Sequence, residues 1–388
     1  MTEELDVVVV GGGIHGAGVA QAAAADGYRV RLLEQASLAA GTSGRSSKLI
    51  HGGLRYLETA SISLVRESLR ERELLLRIAP TLVERRQFFI PVFPNTRRRP
   101  WQLRIGLSAY ALLAGLRGST KFRSVPRSEW DQLDGLSTQG LQHVFQYWDA
   151  QTDDAALTRA VMTSAESLGA EAVCPAEFVR TQIDEAGCTV VYRSAGVEHE
   201  VRTLALVNAA GPWAHGVLDR ISPRPQAPSV QLVQGSHLEL PGRVEHGCYY
   251  VESPSDGRAV FVMPWRDHTL LGTTERAFTG DPADVRPHEE EVAYLLEILG
   301  HYFPERSNEV LDSWAGLRVL PVSSESAFKT SRETLLPTDD AQKPRVLSIL
   351  GGKLTGYRAT AQRVMGVLRR TLPQREKQAD TRELVLGG

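Results

Sequence analysis

Cysteine is scarce in this chain of 388 residues: Cys174, Cys188 and Cys248 are its only three, far apart and without a C-x-x-C pair. That scarcity excludes a disulfide framework and a cysteine metal knuckle, and it suits a reducing compartment. The ten histidines form no H-E-x-x-H motif, so no metal site is expected. Long apolar runs are missing as well. The longest weakly polar stretch, "IGLSAYALLAGL", has 12 residues, whereas a membrane-spanning helix needs about 20. The opening "MTEELDVVVVGGG" is acidic and its apolar run is four valines, so it does not read as a secretory signal. Neither sign of charge dominates, with a net charge of −2. There is no internal repeat, low-complexity tract or nucleic-acid reader motif, and nucleic acid is not an expected partner. What remains is a globular chain, 42% hydrophobic and 23% charged, long enough for two domains or one domain with an insertion.

What is present begins at once. "DVVVVGGGIHGAGVAQAAAADGYRVRLLEQ" reads as strand, glycine turn, helix and strand. Val7 to Val10 suit a parallel strand buried on both faces. Gly11, Gly13 and Gly16 form G-x-G-x-x-G, an Ala-rich helix follows, and Gly27 is placed to end it. The first glycines allow a tight turn and bring backbone N–H groups to a pyrophosphate, which the helix dipole also favours. Glu34 ends the second strand, where an acid accepts hydrogen bonds from ribose hydroxyls; this argues against a 2′-phosphate but does not separate NAD from FAD. Two later stretches favour FAD. "TLALVNAAGPWA" (203–214) runs a strand into a Gly-Pro turn at Gly211, and "VLSILGGKLTGYRATAQRVMGVL" (346–368) is strand, Gly-Gly turn and helix. A single Rossmann half explains neither, whereas a flavin sheet assembled from distant segments uses such turns beside the ribityl chain and the ring.

The stretches "GGGIHGAG", "TSGRSSKLIHGGLRYLE", "VNAAGPW", "QGSH", "FVMPW", "LGTTE", "GLRVLP" and "GGKLTGYR" follow one another from about residue 5 onward over nearly the whole chain. In that order they resemble the FAD-dependent glycerol-3-phosphate dehydrogenase family. The resemblance implies an α/β fold: a Rossmann-like FAD-binding domain with a discontinuous antiparallel-sheet substrate domain, a D-amino-acid-oxidase-like architecture. The FAD domain would comprise 1–80, 150–222 and 311–388, and the substrate domain 81–149 and 223–310. It further implies that Ser46, Ser47, Lys48 and His51 face the cofactor, together with Gly352, Leu354 and Thr355, while Arg55 and Tyr56 face the substrate. Some positions depart from the family pattern: His15 where asparagine is common, Val319 where proline is usual, and Glu333 where aspartate is usual. Family members usually continue into a helical C-terminal domain, so a chain ending at "LVLGG" is expected to be a short form.

The chemistry implied is oxidation of glycerol 3-phosphate to dihydroxyacetone phosphate, with electrons passed to a quinone. An oxidase of the same fold, or an amine- or amino-acid-oxidising relative, is the alternative. Hydride transfer demands that the C2–H be aimed at the flavin, because rate depends on near-attack geometry. A phosphate monoester favours forked guanidinium donors. Arg55, Arg318 and Lys353 are the candidate clamp, with Tyr56 as a neutral donor and Arg332 as a further cation. Proton removal needs a base poised near the working pH. His237 in "QLVQGSHLEL" is the candidate, with His51 its rival. Lys353 and the amides opening the "KLTGYRATAQ" helix would stabilise charge on the reduced flavin.

Between Glu84 and Glu129 there is no acidic residue, while the 44 positions hold ten cations: Arg85, Arg86, Arg97, Arg98, Arg99, Arg104, Arg117, Lys121, Arg123 and Arg127. Removing those ten charges from the net −2 leaves −12 for the rest. The cations interleave with Phe88, Phe89, Phe93, Trp101 and the "IGLSAYALLAGL" segment, as suits contact with an anionic bilayer. A solvated arginine face or a protein-binding patch would look the same. The expected location is cytoplasmic, at the inner face of the membrane, and a homodimer is compatible with it. Two helices are expected at 61–80, with an i,i+4 pair of Glu73 and Arg77, and at 286–304.

Overall fold

The computed structural model describes residues 4–57, 61–115, 121–322 and 334–387, and the backbone alone at positions 55 and 56. Strand β1 (Glu4–Val10) lies between two parallel neighbours, β2 (Val30–Leu33) and the strand Val197–Asn208. The valines of β1 need both sheet faces covered, and Val7, Val8 and Val9 are fully buried. Helix α1 (Ile14–Ala25) follows, and eleven of its twelve residues are buried. An alanine-rich helix is what fits there, because it packs between the helices Asp154–Ser167 and Tyr357–Leu368 with no room for larger side chains. This first sheet is mixed. Val346–Ser348 and Glu171–Val173 extend it in parallel, and Glu177–Ile183 and Cys188–Ser194 extend it antiparallel.

Among the described residues the second sheet has ten strands and is antiparallel except where Cys248–Glu252 runs beside Val83–Val92. One long pairing joins Val230–Leu240 to Asp312–Pro321, from Val230 opposite Pro321 to Glu239 opposite Asp312. Here the expected domain edge at 311 does not match sheet membership. Asp312–Pro321 belongs to the second sheet, paired along its length with Val230–Leu240, and its Ala315, Leu317 and Leu320 are buried there. Leu49–Ile50 also crosses over, pairing with His143–Thr152.

The expected helices form over Ile62–Ile78 and Glu289–Tyr302. The i,i+4 pair does not. Glu73 instead meets Arg72 at 2.9 Å and Arg85 of the adjoining strand at 3.0 Å, while Arg77 donates to the Arg382 carbonyl. A partly buried carboxylate gains more from two fixed guanidinium groups than from one solvated partner.

Candidate active site

The turns that open α1, end Val197–Asn208 and precede Tyr357–Leu368 meet at one cavity of ≈560 Å³ between the sheets. Its first-sheet wall includes Gly11, Gly13, Glu34 and Gly211, with Gly352, Lys353, Leu354 and Thr355 beyond them. Ser46, Ser47 and His51 line it from the intervening loop, and His237 and Arg318 from the second sheet. Arg332 lies outside the described residues, as do the side chains of Arg55 and Tyr56.

Gly11 has φ +110°, where L side chains are strained, and a Cβ there would stand 2.6 Å from the Ala209 carbonyl oxygen. Gly16 is not on the cavity wall. A Cβ on it would lie 1.9 Å from the Gly11 carbonyl oxygen, so its part is to let α1 press onto the turn. The Glu34 carboxylate accepts from the N–H groups of Gly12 (2.7 Å) and Ala36 (2.8 Å), which fixes it at the end of β2. Beside it, Ser43 Oγ accepts from the Ile14 N–H at 2.9 Å. A Cβ added to Gly211 would meet nothing within 4 Å among the described residues, so the chain is bare where it faces the cavity. A glycine cradle at a helix N-terminus, an acid at the next strand end and a long open trough fit the diphosphate, ribose and ring of FAD in turn.

Lys48 departs from expectation. It is 4% exposed and does not line the cavity. Its ammonium donates to the Gly44 carbonyl and to Asp154 Oδ1, both at 2.6 Å, and lies 5.2 Å and 5.4 Å from the ring centroids of Trp265 and Trp314. The cause is Asp154, fully buried at the start of its helix, whose other oxygen accepts from Ser46 N–H (2.9 Å) and Ser46 Oγ–H (2.7 Å). An ionised carboxylate there requires a cation, and Lys48 supplies it. Sequence reading overlooked Asp154; the only trace was an acid at a helix start, a common capping signal.

His237 is 2% exposed. Its Nε2 is 2.9 Å from Ser47 Oγ, and its ring stacks on Trp314 with centroids 5.8 Å apart and planes at 17°. Gly272 makes that position available, since a Cβ there would stand 2.3 Å from His237 Cδ2. Burial, then the Arg318 and Lys48 charges, lower the His237 pKa to about 3. Arg318 is aimed by Glu275 (2.9 Å) and by Thr273 Oγ1 (3.1 Å), residues of the "LGTTE" stretch to which no role was given. His51 donates its N–H to Thr355 Oγ1 at 3.1 Å, joining the loop to the Gly-Gly turn. His15 also lines the cavity, and its ring fills the space a Cβ on Gly352 would need. Burial, then Arg363, lower its pKa to about 4.

These two histidines are expected to make the fold acid-sensitive. Their folded pKa values lie below the unfolded 6.5, so the unfolded chain takes up protons first as pH falls. Stability is therefore lost from about pH 6.5 downward, by roughly 2 kcal/mol per histidine at pH 5. Urea unfolding at pH 7 and pH 5 should show His15→Asn losing about 2 kcal/mol less than the wild type over that interval. Identical losses would show that His15 is not buried neutral.

The FAD dependent oxidoreductase family matches residues 6–356. A glycerol-3-phosphate dehydrogenase of Pseudomonas aeruginosa is 39% identical over 370 residues, covering 93% of this chain and 71% of that protein. A D-erythritol 1-phosphate dehydrogenase of Brucella abortus is 35% identical over 381 residues, 96% of this chain and 75% of its own. Among solved structures, the glycerol-3-phosphate dehydrogenase of Bacillus halodurans complexed with FAD superposes with a TM-score of 0.75 at 27% identity, covering 99% of this chain and 68% of that one.

Proposed function

Because this chain belongs to the FAD-dependent glycerol-3-phosphate dehydrogenase family of FAD-dependent oxidoreductases, we propose that it oxidises glycerol 3-phosphate to dihydroxyacetone phosphate and passes the electrons to a quinone. FAD, its cofactor, supplies the hydride acceptor when bound. The observation that carries the reading is the convergence of Arg318, Lys353 and His237 on the cavity that holds the glycine turns. Arg318 offers a fork of donors to the phosphate, oriented beforehand by Glu275, so little rotamer entropy is lost on binding. Lys353 stands at the turn before the Leu354–Gly356 helical segment, where its charge and the following amides favour an anion. Arg55, Tyr56 and Arg332 complete the clamp in this reading. His237, buried and held neutral, is the base of this reading.

The Brucella relative is named for a longer polyol phosphate, and that is the second reading. Anaerobic addition of glycerol 3-phosphate, D-erythritol 1-phosphate or glycerol to the yellow protein separates them. Rapid bleaching by glycerol 3-phosphate, with at most slow bleaching by glycerol, is the expected result; rapid bleaching by the four-carbon phosphate alone would transfer the assignment to it.

The quinone implies a membrane, and no helix among the described residues is long and apolar enough to cross one. We place the contact on the helix Pro100–Leu113. Trp101, Ile105 and Leu112 are each more than 60% exposed there and share one face at helical spacing, with exposed Arg97, Arg99 and Arg104 close by. Arg85, Arg86, Arg98 and Arg123 contribute less, being paired with Glu73, Glu84, Glu252 and Glu129. Binding to anionic vesicles that salt weakens is expected; equal binding to neutral vesicles would count against the basic surface.

A further inference from the structure

We infer that the proton of the substrate hydroxyl leaves by way of the Ser47 hydroxyl to His237 Nε2, so that Ser47 is the group the substrate meets. This rests on the polyol-phosphate reading above and goes beyond it by assigning the proton path. Three observations lead there. Ser47 and His237 both line the cavity, but Ser47 is half-buried whereas His237 is 2% exposed. Neither ring nitrogen is open to a ligand: Nε2 is 2.9 Å from Ser47 Oγ, and Nδ1 is buried with no hydrogen-bond partner among the described residues. The ring cannot swing out readily, with Trp314 stacked on one face and the Gly272 backbone tight against Cδ2.

Ser47 is itself placed from both sides. Asp154 accepts from Ser46 before it and from Lys48 after it, so the segment carrying the hydroxyl is clamped by a carboxylate buried beneath the site. In the step proposed, the substrate C–H bond would break with its electron pair leaving as hydride, for which FAD when bound would be the acceptor, as the C=O bond forms. The hydroxyl proton passes to Ser47 Oγ as the Ser47 proton passes to Nε2, and the imidazolium later returns its proton to water. The tautomer required carries its resting proton on Nδ1, leaving the Nε2 lone pair towards Ser47. The charged groups that bear on this imidazole are Arg318 and Lys48, and no carboxylate hydrogen-bonds it among the described residues. Arg318 already meets Glu275, and a phosphate seated on it would offset the cation further, so the base strengthens when substrate is in place.

The test is anaerobic stopped-flow reduction of bound flavin by glycerol 3-phosphate, with rates expressed per bound flavin. Ser47→Ala and His237→Gln should each slow reduction by about 10² or more, with little change in the concentration giving half-maximal rate. The double variant should be no slower than either single one, because the two act as a unit. Ser47→Thr keeps a hydroxyl and should recover most of the rate. A Ser47→Ala enzyme that reduces its flavin as fast as the wild type overturns the relay alone. A wild type reduced by no polyol phosphate overturns the proposed function and takes the relay with it. Nitrogen-15 spectra of labelled histidine read the pair without turnover. An imine-type Nε2 resonance that moves in Ser47→Ala is expected, and a protonated, pyrrole-type Nε2 would sink the proposal.

Discussion

Replacing Arg318 by alanine is expected to lower kcat/KM for glycerol 3-phosphate by about 10²-fold or more, the worth of a truncated charged pair at roughly 3 kcal/mol. The slow oxidation of unphosphorylated glycerol should change little. The loss should fall mostly on KM, since the guanidinium holds a phosphate that does not react. A second signature follows from geometry. Arg318 is one of the charges that keep His237 neutral, so its removal should shift the pH dependence of flavin reduction upward. Lysine at 318 keeps the charge but not the fork to Glu275 and Thr273, and should restore only part of the loss. Steady-state kinetics with both substrates across pH checks all three. Equal losses for glycerol and glycerol 3-phosphate would mean that Arg318 supports the fold and not the phosphate.

Lys48→Met should cost about 3–5 kcal/mol of stability, a large share of the roughly 5–15 kcal/mol typical of a folded protein. The Lys48 ammonium is the cation that Asp154 Oδ1 meets at 2.6 Å, and the Asp154 side chain is fully buried. Without it the carboxylate must stay charged in an apolar place or take up a proton. Burial already raises the Asp154 pKa despite Lys48, and the variant would raise it further. The sign then reverses relative to the histidines: an acid whose folded pKa is raised gains stability as pH falls through that pKa. Lys48→Met should therefore recover part of its loss in mild acid. A Lys48→Met/Asp154→Leu double variant should recover more, because no charge is left stranded. Urea unfolding of the three proteins decides the matter. A double variant as unstable as the single one would place the cost in the packing around Trp265 and Trp314, not in the ion pair.

The nucleotide unit was legible because everything it needs is local. The valines of β1, the glycines at 11, 13 and 16, the alanines of α1 and Glu34 lie within thirty residues, and backbone sterics turn that spacing into a turn and a helix N-terminus. The helices Ile62–Ile78 and Glu289–Tyr302 were legible for the same reason, the first through the serine that opens it and Pro80 beyond its end, the second through its acidic start. That Arg318, Lys353 and His237 belong to one site followed from family resemblance, since they lie up to 116 positions apart (His237 to Lys353) and no periodicity connects them.

Tertiary structure alone decided the rest. "SWAGLRVLP" alternates well enough to join any sheet edge; its place beside Val230–Leu240 depends on a register that buries Ala315 and Leu317. Lys48 sat among glycines and serines like a cofactor ligand. It is a buried counter-ion because Asp154, 106 positions away, needs one. Ser47 and His237 meet 190 positions apart, and what joins them is the meeting of a loop from one sheet with a strand from the other. Local rules by themselves determined that a dinucleotide binds here. Which hydroxyl touches which imidazole, and which charge is spent on the fold instead of the substrate, depended on long-range pairing, which the burial of polar groups enforces only once the whole core has closed.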